Sequence, residues 1–276
     1  MPELPEVETI ANGVHARARG QQVLSVWFSR YPQPFLTRPA RMARALTGLS
    51  IQQVRRIGKH IVVDLGAGKN PSSPSIQWIV HLGMTGRLLY CEATAPVATH
   101  THARLELDSG HELRFVDARR FGRLDLIDLS CEPSFSGPGT EPLTIDSVAF
   151  AALFHGRRTP IKSALLNQSL LHGVGNIYAD ESLFHAGIRP LRHASSLTRA
   201  ELERLRLSLQ KVLRAAIALG GSSVSDYVDA NGIRGFFQLE HCVYLRTGKP
   251  CRLCGSPIQR ILVAARGTHY CNKCQK

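Results

Sequence analysis

Two cysteine pairs near the C-terminus constrain the fold of this chain more than any other feature. Cys251 and Cys254 form one C-x2-C pair, Cys271 and Cys274 form another, and sixteen residues separate them. This spacing is typical of a structural zinc ribbon, in which two tight turns direct four thiolates toward one Zn²⁺ ion. Four thiolates leave no coordination position open, so we expect the metal to be structural rather than catalytic.

The segment between the pairs, residues 258–270, predicts a β-hairpin with its tip at Arg266 and Gly267. Disulfide bonds are the alternative for these four cysteines, but such bonds are rare in a cytosolic chain. The other three cysteines are isolated along the sequence, and we expect ordinary buried or partly buried thiols at Cys91, Cys131 and Cys242.

The charge of the chain indicates a polyanionic partner. The 276 residues carry a formal net charge of +13, and from Arg234 to the C-terminus eight Lys or Arg face a single acid, Glu240. Nucleic acid is the partner that this balance favours, and an anionic membrane surface is the competing one. No apolar run is long enough to span a bilayer, and the acidic N-terminus lacks the features of a secretion signal. We therefore expect a cytoplasmic protein.

The pattern of the chain changes from strands to helices near residue 135. Short β-patterned runs fill residues 23–129 and predict a sandwich or barrel, with a hairpin turn at Asp108–His111. A loop rich in Pro, Gly and Ser follows at 131–142. The second half then predicts helices, the last of them capped by Thr198 and ended by Gly220 and Gly221. The helices are expected at about 3–19, 147–155, 160–168, 176–186 and 197–219.

A second basic region lies in these helices. The sequence between Asp146 and Asp180 contains no acidic residue, but it contains the basic residues Arg157, Arg158 and Lys162. The turn Gly173–Asn176 follows, and its glycines would let the backbone approach a phosphate at the N-terminus of the next helix. The alternative is a basic face that only contacts solvent.

The chain opens MPELPEVE, which admits two interpretations. If Met1 is removed, Pro2 carries a free secondary amine that holds roughly a few hundred times more of the unprotonated form near neutral pH than lysine does, and Glu3 could exchange protons beside it. The other interpretation is the start of an amphipathic helix, where proline and glutamate are common.

Several stretches match one known family. They are MPELPEVE, Lys59 in RRIGKHIVV, HLGMTG around Met84, DARRFG around Arg119, GVGNIYADE around Asn176, and the closing ribbon. From end to end, the chain resembles the bacterial formamidopyrimidine-DNA glycosylases. This implies an α+β fold with an N-terminal helix and a two-layered β-sandwich, followed by a helical domain with a helix-two-turns-helix motif and a zinc-ribbon β-hairpin.

The resemblance also implies an activity and the residues that perform it. The expected enzyme excises oxidised purines, namely 8-oxoguanine and formamidopyrimidines, from duplex DNA and nicks the strand by β,δ-elimination. Pro2 would attack C1′ of the lesion nucleotide and form a Schiff base, with Glu3 handling protons. Lys59 would assist the β step and Arg266 the δ step.

Other residues are matched to DNA contacts. Met84, Arg119 and Phe121 correspond to the wedge that fills the gap left by the everted base. Further contacts are expected from His100, Arg158 and Asn176. Arg158 stands where the family often has lysine, and Ala118 where it often has proline. The loop at 220–235 is similar to the one that closes over the base.

Three domains are expected: a catalytic sandwich at 1–135, a helix-two-turns-helix domain with the capping loop at 136–235, and a zinc finger at 236–276. The partner would be double-stranded DNA with oxidised purines or abasic sites. We expect one structural Zn²⁺, a monomer, no membrane attachment, and association with the bacterial nucleoid through DNA.

Two other functions are compatible with part of the sequence. An oxidised-pyrimidine glycosylase similar to endonuclease VIII shares the Pro-Glu start and the ribbon, but that branch typically opens PEGPE and lacks the wedge, whereas this chain has Leu4 and all three wedge residues. A non-catalytic zinc-ribbon DNA-binding protein would account for the charge and the cysteines. It leaves Pro2, Glu3 and Lys59 unexplained.

Overall fold

The computed structural model describes residues 1–68, 74–223 and 227–276. The chain divides into two units. The first contains Met1–Gly137 and Gly220–Gly235, and the second contains Pro138–Leu219 and Phe236–Lys276. Among the helices described in these ranges, none is long and apolar enough to cross a membrane.

The first unit consists of helices and two four-stranded antiparallel sheets, which confirms the predicted sandwich. Its strands are β1 (Val23–Phe28), β2 (Ser50–Ile57), β3 (His60–Gly66), β4 (Ile76–His81), β5 (Arg87–Glu92), β6 (Thr101–Leu107), β7 (His111–Val116) and β8 (Arg123–Asp128). One sheet has the order β1-β6-β7-β5 and the other β2-β3-β4-β8. A single apolar cluster joins residues of both sheets, including the fully buried Trp78 and Phe115.

Two helices pack against these sheets. The predicted N-terminal helix, α1, spans Leu4–Ala18, and its apolar face enters the same core cluster. The sequence did not predict α2 (Pro39–Leu46), which buries Met42 and Leu46. The predicted turn between β6 and β7 is confirmed, with Gly110 at a φ of 78° that favours glycine.

The segment Gly220–Gly235 belongs to the first unit by its contacts. The Ser222 amide donates a hydrogen bond of 2.8 Å to Glu6 Oε1, and the Tyr227 hydroxyl donates one of 3.4 Å to the Glu6 carbonyl. The Tyr90 amide on β5 donates to the Ala230 carbonyl at 2.9 Å. The predicted division at residue 235 instead grouped this segment with the helices that precede it. Residues 224–226 of the predicted capping loop lie outside the described ranges.

The second unit contains the predicted helices: α3 (Ser147–Phe154), α4 (Ile161–Leu166), α5 (Asn176–Ala186) and α6 (Arg199–Ala218). Thr198 caps α6 as expected, because its hydroxyl accepts from the Glu201 amide at 3.2 Å while Glu201 Oε2 accepts from the Thr198 amide at 2.8 Å. Between α4 and α5, the Gln168 side chain donates to the Val174 carbonyl and accepts from the Gly173 amide. These bonds fix the turn that leads into α5.

The ribbon hairpin consists of β9 (Gln259–Val263) and β10 (Arg266–Tyr270), paired antiparallel. The predicted tip at Arg266 and Gly267 is wrong. The two-residue tip is Ala264–Ala265, and both alanines adopt left-handed φ angles, 49° and 57°. Arg266 is instead the first residue of β10 and pairs with Val263.

Candidate functional site

The N-terminal residues are held in place by Glu6. Pro2 is buried directly before α1, whereas Met1 is 48% exposed. The Glu3 amide donates to Glu6 Oε2 at 2.8 Å, and the other oxygen of the same carboxylate accepts from Ser222. Both interpretations of the opening are therefore compatible with the geometry, since Glu3 occupies the N-cap of a helix and Pro2 lies just outside it.

Lys59 lies in a tight turn that is tied to α1. Gly58 and Lys59 connect β2 to β3, and Gly58 has a φ of 59°. The Arg56 side chain, only 4% exposed, forms an ion pair of 2.6 Å with Glu8 on α1. Arg56 Nη1 also donates to the Gly58 carbonyl at 3.2 Å. The turn that carries Lys59 is thus fixed relative to the helix that follows Pro2 and Glu3.

His81 is a candidate residue that the sequence analysis missed. It ends β4 opposite His60 on β3, with ring centroids 4.9 Å apart. Burial, followed by the positive charges of His60, Lys59 and Arg123, lowers the pKa of His81 to about 4. The ring is therefore neutral at neutral pH. Its only signal in the sequence is its position three residues before Met84.

A cavity adjoins this histidine pair on the outer face of the β2-β3-β4-β8 sheet. Its volume is about 170 Å³, and Phe135 closes one side with its ring 4.9 Å from that of His60. The lining residues are Leu36, His60, Ile79, His81, Arg123, Asp125 and Phe135.

The predicted wedge residues are exposed. Met84 follows β4 and is 42% exposed, while Phe121 precedes β8 and is 48% exposed. The Arg119 guanidinium lies over the Phe121 ring, 4.6 Å from its centroid. Their exposure shows that Met84 and Phe121 do not pack in the core, which was the alternative for these two residues, and leaves both side chains available for contact.

A buried aspartate organises the two turns that carry these residues. Asp117 is fully buried and accepts hydrogen bonds from the Thr85 hydroxyl at 2.5 Å and from the Gly122 amide at 2.8 Å. Its Oδ1 also accepts from the Arg119 amide at 3.3 Å. Asp117 thereby links the turn after β4 to the loop after β7. The sequence does not predict this role for Asp117.

The two turns approach closely because of a pair of glycines. A Cβ added at Gly83, whose φ is 62°, would lie 2.5 Å from the backbone of Phe121 and Gly122. A Cβ at Gly122 would lie 2.5 Å from the Phe115 ring. His100 joins the same region, since its carbonyl accepts from the Asp117 amide at 3.0 Å and its φ is 65°. The structure therefore brings together Met84, His100, Arg119 and Phe121.

In the second unit, Asn176 connects α5 to the ribbon. It is the first residue of α5, and its Nδ2 donates to the Gly267 carbonyl at 3.0 Å. Its Oδ1 is buried and has no hydrogen-bond partner in the part of the chain that the structure describes. Arg158 is exposed in the loop before α4, and Arg266 is exposed at the start of β10.

A buried ion pair holds the ribbon hairpin next to Arg266. Lys162, which the sequence placed in a basic surface, is instead fully buried on α4 and lies 2.7 Å from Asp180 Oδ1. Its Nζ also donates to Thr268 Oγ1 at 2.7 Å. Asp180 Oδ2 accepts from the His269 amide at 2.8 Å. The two strand residues that follow Gly267 are thus bound to charged groups of α4 and α5.

The four ribbon cysteines form a cluster whose dimensions fit Zn²⁺. The Sγ atoms of Cys251 and Cys274 are 3.9 Å apart, and those of Cys254 and Cys271 are 3.5 Å apart. Tetrahedral zinc with Zn–S bonds of about 2.3 Å requires S–S separations of about 3.8 Å. Hydrogen bonds from Ser256 lower the pKa of Cys254 to about 6, whereas burial raises the pKa of Cys271 and of Cys274, so a bound cation is needed to hold all four as thiolates.

The candidate residues are divided between the two units. The first unit contains Pro2, Glu3, Lys59, Met84, His100, Arg119 and Phe121, and the second contains Arg158, Asn176, Arg266 and the four ribbon cysteines.

Three family models match the chain. Residues 1–124 match the formamidopyrimidine-DNA glycosylase N-terminal domain, 137–228 its H2TH domain, and 248–276 a zinc finger found in FPG and IleRS. The last range includes the cysteine cluster, so the ribbon holds one structural zinc.

Similar proteins cover nearly all of the chain. A formamidopyrimidine-DNA glycosylase of Moorella thermoacetica is 45% identical over 95% of this chain and 94% of its own length. A Lactococcus lactis FPG variant in complex with Fapy-dG-containing DNA is 34% identical, with a TM-score of 0.88 and full coverage of both chains. The Lactococcus lactis Fpg bound to abasic-site DNA gives 34% identity and a TM-score of 0.87 over 99% of both chains.

Proposed function

This chain belongs to the formamidopyrimidine-DNA glycosylase family, and from that premise we propose that it removes oxidised purines through a Schiff base on Pro2. The enzyme is a DNA glycosylase of base-excision repair with abasic-site lyase activity. The observation that carries the proposal is the start of α1. Pro2 is buried there, beside a Glu3 whose amide is fixed by Glu6.

The reaction begins once Met1 has been removed, since Pro2 nitrogen is otherwise an amide. The free secondary amine attacks C1′ of the lesion nucleotide. A nitrogen–carbon bond forms, the glycosidic bond breaks, and the base leaves with the bonding electrons and takes up a proton. Opening of the sugar ring gives an iminium ion, and Glu3 exchanges the protons that this step requires. Because the amine is secondary, the iminium stays cationic.

That cation withdraws electrons from the sugar and makes the C2′ hydrogens acidic. Loss of one C2′ proton expels the 3′ phosphate in the β step, and a second elimination expels the 5′ phosphate in the δ step. We assign assistance in the β step to Lys59 and in the δ step to Arg266. Two contacts support these roles, because a catalytic group must be held in position. The Arg56–Glu8 ion pair fixes the turn that carries Lys59, and Lys162 binds Thr268 on the strand that carries Arg266.

The wedge residues would compensate the duplex for the everted base. Everting a nucleotide costs a few kcal/mol in lost stacking and pairing. Met84 and Phe121 are exposed apolar side chains that can occupy the vacant space, and the Arg119 guanidinium can donate hydrogen bonds to the widowed base. Asp117 hydrogen-bonds to both of the turns that carry these residues, which supports insertion of the three side chains into the duplex as one group.

Phosphate binding is proposed for the remaining residues. Arg158 is exposed and can bind a phosphate bidentately. Asn176 begins α5, where unpaired backbone N–H groups favour an anion. His100 lies beside the wedge through its bond to Asp117. We expect the enzyme to act as a monomer on duplex DNA, with a net charge of +13 that favours association.

Borohydride trapping tests the proposed nucleophile. Protein with a free Pro2 is mixed with duplexes that contain 8-oxoguanine, formamidopyrimidine, an oxidised pyrimidine or no lesion, and borohydride then reduces any iminium to a stable adduct. We expect adducts with the oxidised purines and, by peptide mapping, attachment at Pro2. Lys59→Met is the matched control, because it removes the other candidate amine in the same unit.

Three outcomes would contradict parts of the proposal. An adduct that survives chemical blocking of the N-terminal amine but is lost in Lys59→Met would assign the nucleophile to Lys59. A stronger adduct with the oxidised pyrimidine than with either purine would favour an activity similar to endonuclease VIII. Tight binding of lesion duplexes without base release or any adduct would indicate a non-catalytic DNA-binding protein.

A further inference from the structure

A second cluster of metal-binding side chains lies in the second unit, outside the four ribbon cysteines. It consists of Glu181 and His185 on α5 and Cys242 in the segment before the ribbon. Their ligand atoms, a carboxylate oxygen, a ring nitrogen and a thiol sulfur, all lie within 4.8 Å of one another. From the sequence alone, Cys242 is expected to be an ordinary thiol.

The Glu181 carboxylate is held in one orientation by backbone amides. It is 1% exposed, and its Oε1 accepts from the Val243 amide at 3.0 Å and the Tyr244 amide at 2.8 Å. Its Oε2 accepts from the Cys242 amide at 2.9 Å. A carboxylate oxygen accommodates two partners, so Oε2 retains one lone pair for a further ligand. Metal-bound carboxylates are typically fixed by such hydrogen bonds.

The other two side chains can reach the same point. His185 follows Glu181 by four residues on α5, so both side chains lie on one face of the helix. The His185 ring is exposed and Cys242 is partly exposed, which leaves a path for a cation and for solvent. The Cys242 thiol donates a weak hydrogen bond, 3.7 Å long, to the Glu240 carbonyl.

We propose that Glu181, His185 and Cys242 form a second binding site for Zn²⁺ or a similar divalent transition metal. One nitrogen, one sulfur and one oxygen ligand are a combination that zinc accepts, and three protein ligands leave a fourth position for water. Tetrahedral zinc needs ligand separations of about 3.3–3.8 Å. Binding therefore requires the His185 and Cys242 side chains to rotate toward the Glu181 carboxylate. Binding releases the Cys242 thiol proton to solvent.

The second site would join two elements, whereas the ribbon zinc orders a single hairpin. Cys242 packs against the apolar cluster that contains Phe184, Val243 and the ribbon cysteines Cys251 and Cys271. A cation bound there would attach the segment that precedes the ribbon to α5 through side chains as well as backbone. The inference is independent of the proposed function, because none of the three ligands is assigned a role in catalysis or DNA binding.

Cobalt added to zinc-loaded protein tests the site. The ribbon is first filled with one equivalent of Zn²⁺ per chain, unbound metal is removed, and Co²⁺ is then titrated while thiolate-to-cobalt charge-transfer absorption is recorded. We expect one further metal per wild-type chain and a charge-transfer band that disappears in Cys242→Ser. His185→Ala should bind Co²⁺ at least about tenfold more weakly. Cys131→Ser and His193→Ala are matched controls, since they remove an exposed cysteine and an exposed histidine elsewhere.

The proposal fails if the zinc-loaded wild type gives no band, or if the band persists in Cys242→Ser. It also fails if His185→Ala weakens binding by less than tenfold, or if either control variant loses the band. Because His185 is exposed, its replacement keeps the test valid even if Cys242→Ser does not fold.

Discussion

His81 illustrates how single side chains in the first unit depend on their charged neighbours. Its pKa is about 4, with burial as the largest cause and the positive groups His60, Lys59 and Arg123 as further causes. In the unfolded chain a histidine titrates near 6.5. Between these two pKa values the unfolded chain binds this proton and the folded protein does not. The contribution of His81 to the free energy of unfolding is therefore complete above about pH 6.5 and is lost as the pH falls through 4.

Replacing Lys59 should change this titration in a defined direction. Lys59→Met removes one positive charge near the ring, so we expect the pKa of His81 to rise while remaining below 6.5, because burial is unchanged. NMR of the histidine ring carbons against pH measures it. An unchanged or lower pKa would show that the Lys59 charge does not act on His81.

The wild-type free energy of unfolding should also decrease between pH 6.5 and 4. In His81→Phe, which has no ring proton to bind, the decrease should be less steep.

Individual residues were predicted where the sequence carries a local signal. The cysteine spacing and the motif residues around Met84 and Arg119 are such signals. Asp117 and His81 lie inside the matched stretches DARRFG and HLGMTG, but the sequence does not show what the fold places around them: the donors of two separate turns around Asp117, and a cross-strand histidine beside His81. Lys162 was misplaced on the surface because its partner, Asp180, lies on another helix.

At the scale of elements, the loop after β7 depends on Asp117. Asp117→Asn replaces one acceptor with a donor that faces the Thr85 hydroxyl or the Gly122 amide, so we expect a loss of roughly 1–3 kcal/mol in the free energy of unfolding. Lesion excision should also weaken. Chemical denaturation and single-turnover excision measure the two effects.

Phe121→Ala is the control for that prediction. Its ring is 48% exposed and takes no part in the Asp117 hydrogen bonds, so excision should fall while stability stays within about 0.5 kcal/mol of the wild type. Equal stability of Asp117→Asn and Phe121→Ala would refute the role of Asp117 in holding the turns.

The ribbon hairpin depends on the buried ion pair below it. Lys162→Met leaves the Asp180 carboxylate buried without its cation, which typically costs about 3–5 kcal/mol. The strand that carries Arg266 would also lose the bond to Thr268, so the δ-elimination product should decrease relative to the β product. Denaturation and gel analysis of the cleaved ends measure these changes. Lys211→Met, at an exposed lysine of α6, should alter neither.

Most elements were predicted from periodicity and capping residues, and the exceptions have physical causes. The β pattern of the sequence continues without a break over residues 51–65, but Gly58 and Lys59 divide this run into β2 and β3. Helix α2 is short and places only Met42 and Leu46 in the core, which is too few for a clear helical period. Ala264 and Ala265 form the hairpin tip although alanine is not a turn residue, while the neighbouring Gly267 packs under the Arg260 guanidinium.

At the scale of the whole molecule, zinc supports the C-terminal segment. A short hairpin buries too little apolar surface to fold by itself, so metal binding supplies part of its folding free energy. Cys251→Ala should lose the ribbon zinc, unfold β9 and β10, and weaken DNA binding. Metal analysis and hydrogen exchange of residues 259–270 test this, and a Cys251→Ala protein that keeps both its ribbon zinc and its protected hairpin would contradict it.

The charge of the molecule should determine how it binds undamaged DNA. A net charge of +13 favours contacts with phosphates, each of which releases counterions. We expect the logarithm of the association constant to fall linearly with the logarithm of salt concentration, with a slope of about −0.9 per phosphate contacted. Arg158→Ala should make the slope shallower by about one contact. Affinity that does not change with salt would exclude this electrostatic mechanism.

The contact between Gly83 and Gly122 has a consequence for the tolerance of this chain to mutation. A side chain at Gly83 would push apart the two turns that carry Met84 and Phe121, and one at Gly122 would clash with the Phe115 ring and the His81 carbonyl. In a library covering every substitution, selected for repair of oxidative damage in living cells, these two glycines should tolerate fewer replacements than the exposed residues beside them. The most restricted positions would thus lie behind the surface proposed to contact DNA, where glycine is retained for the volume it leaves empty.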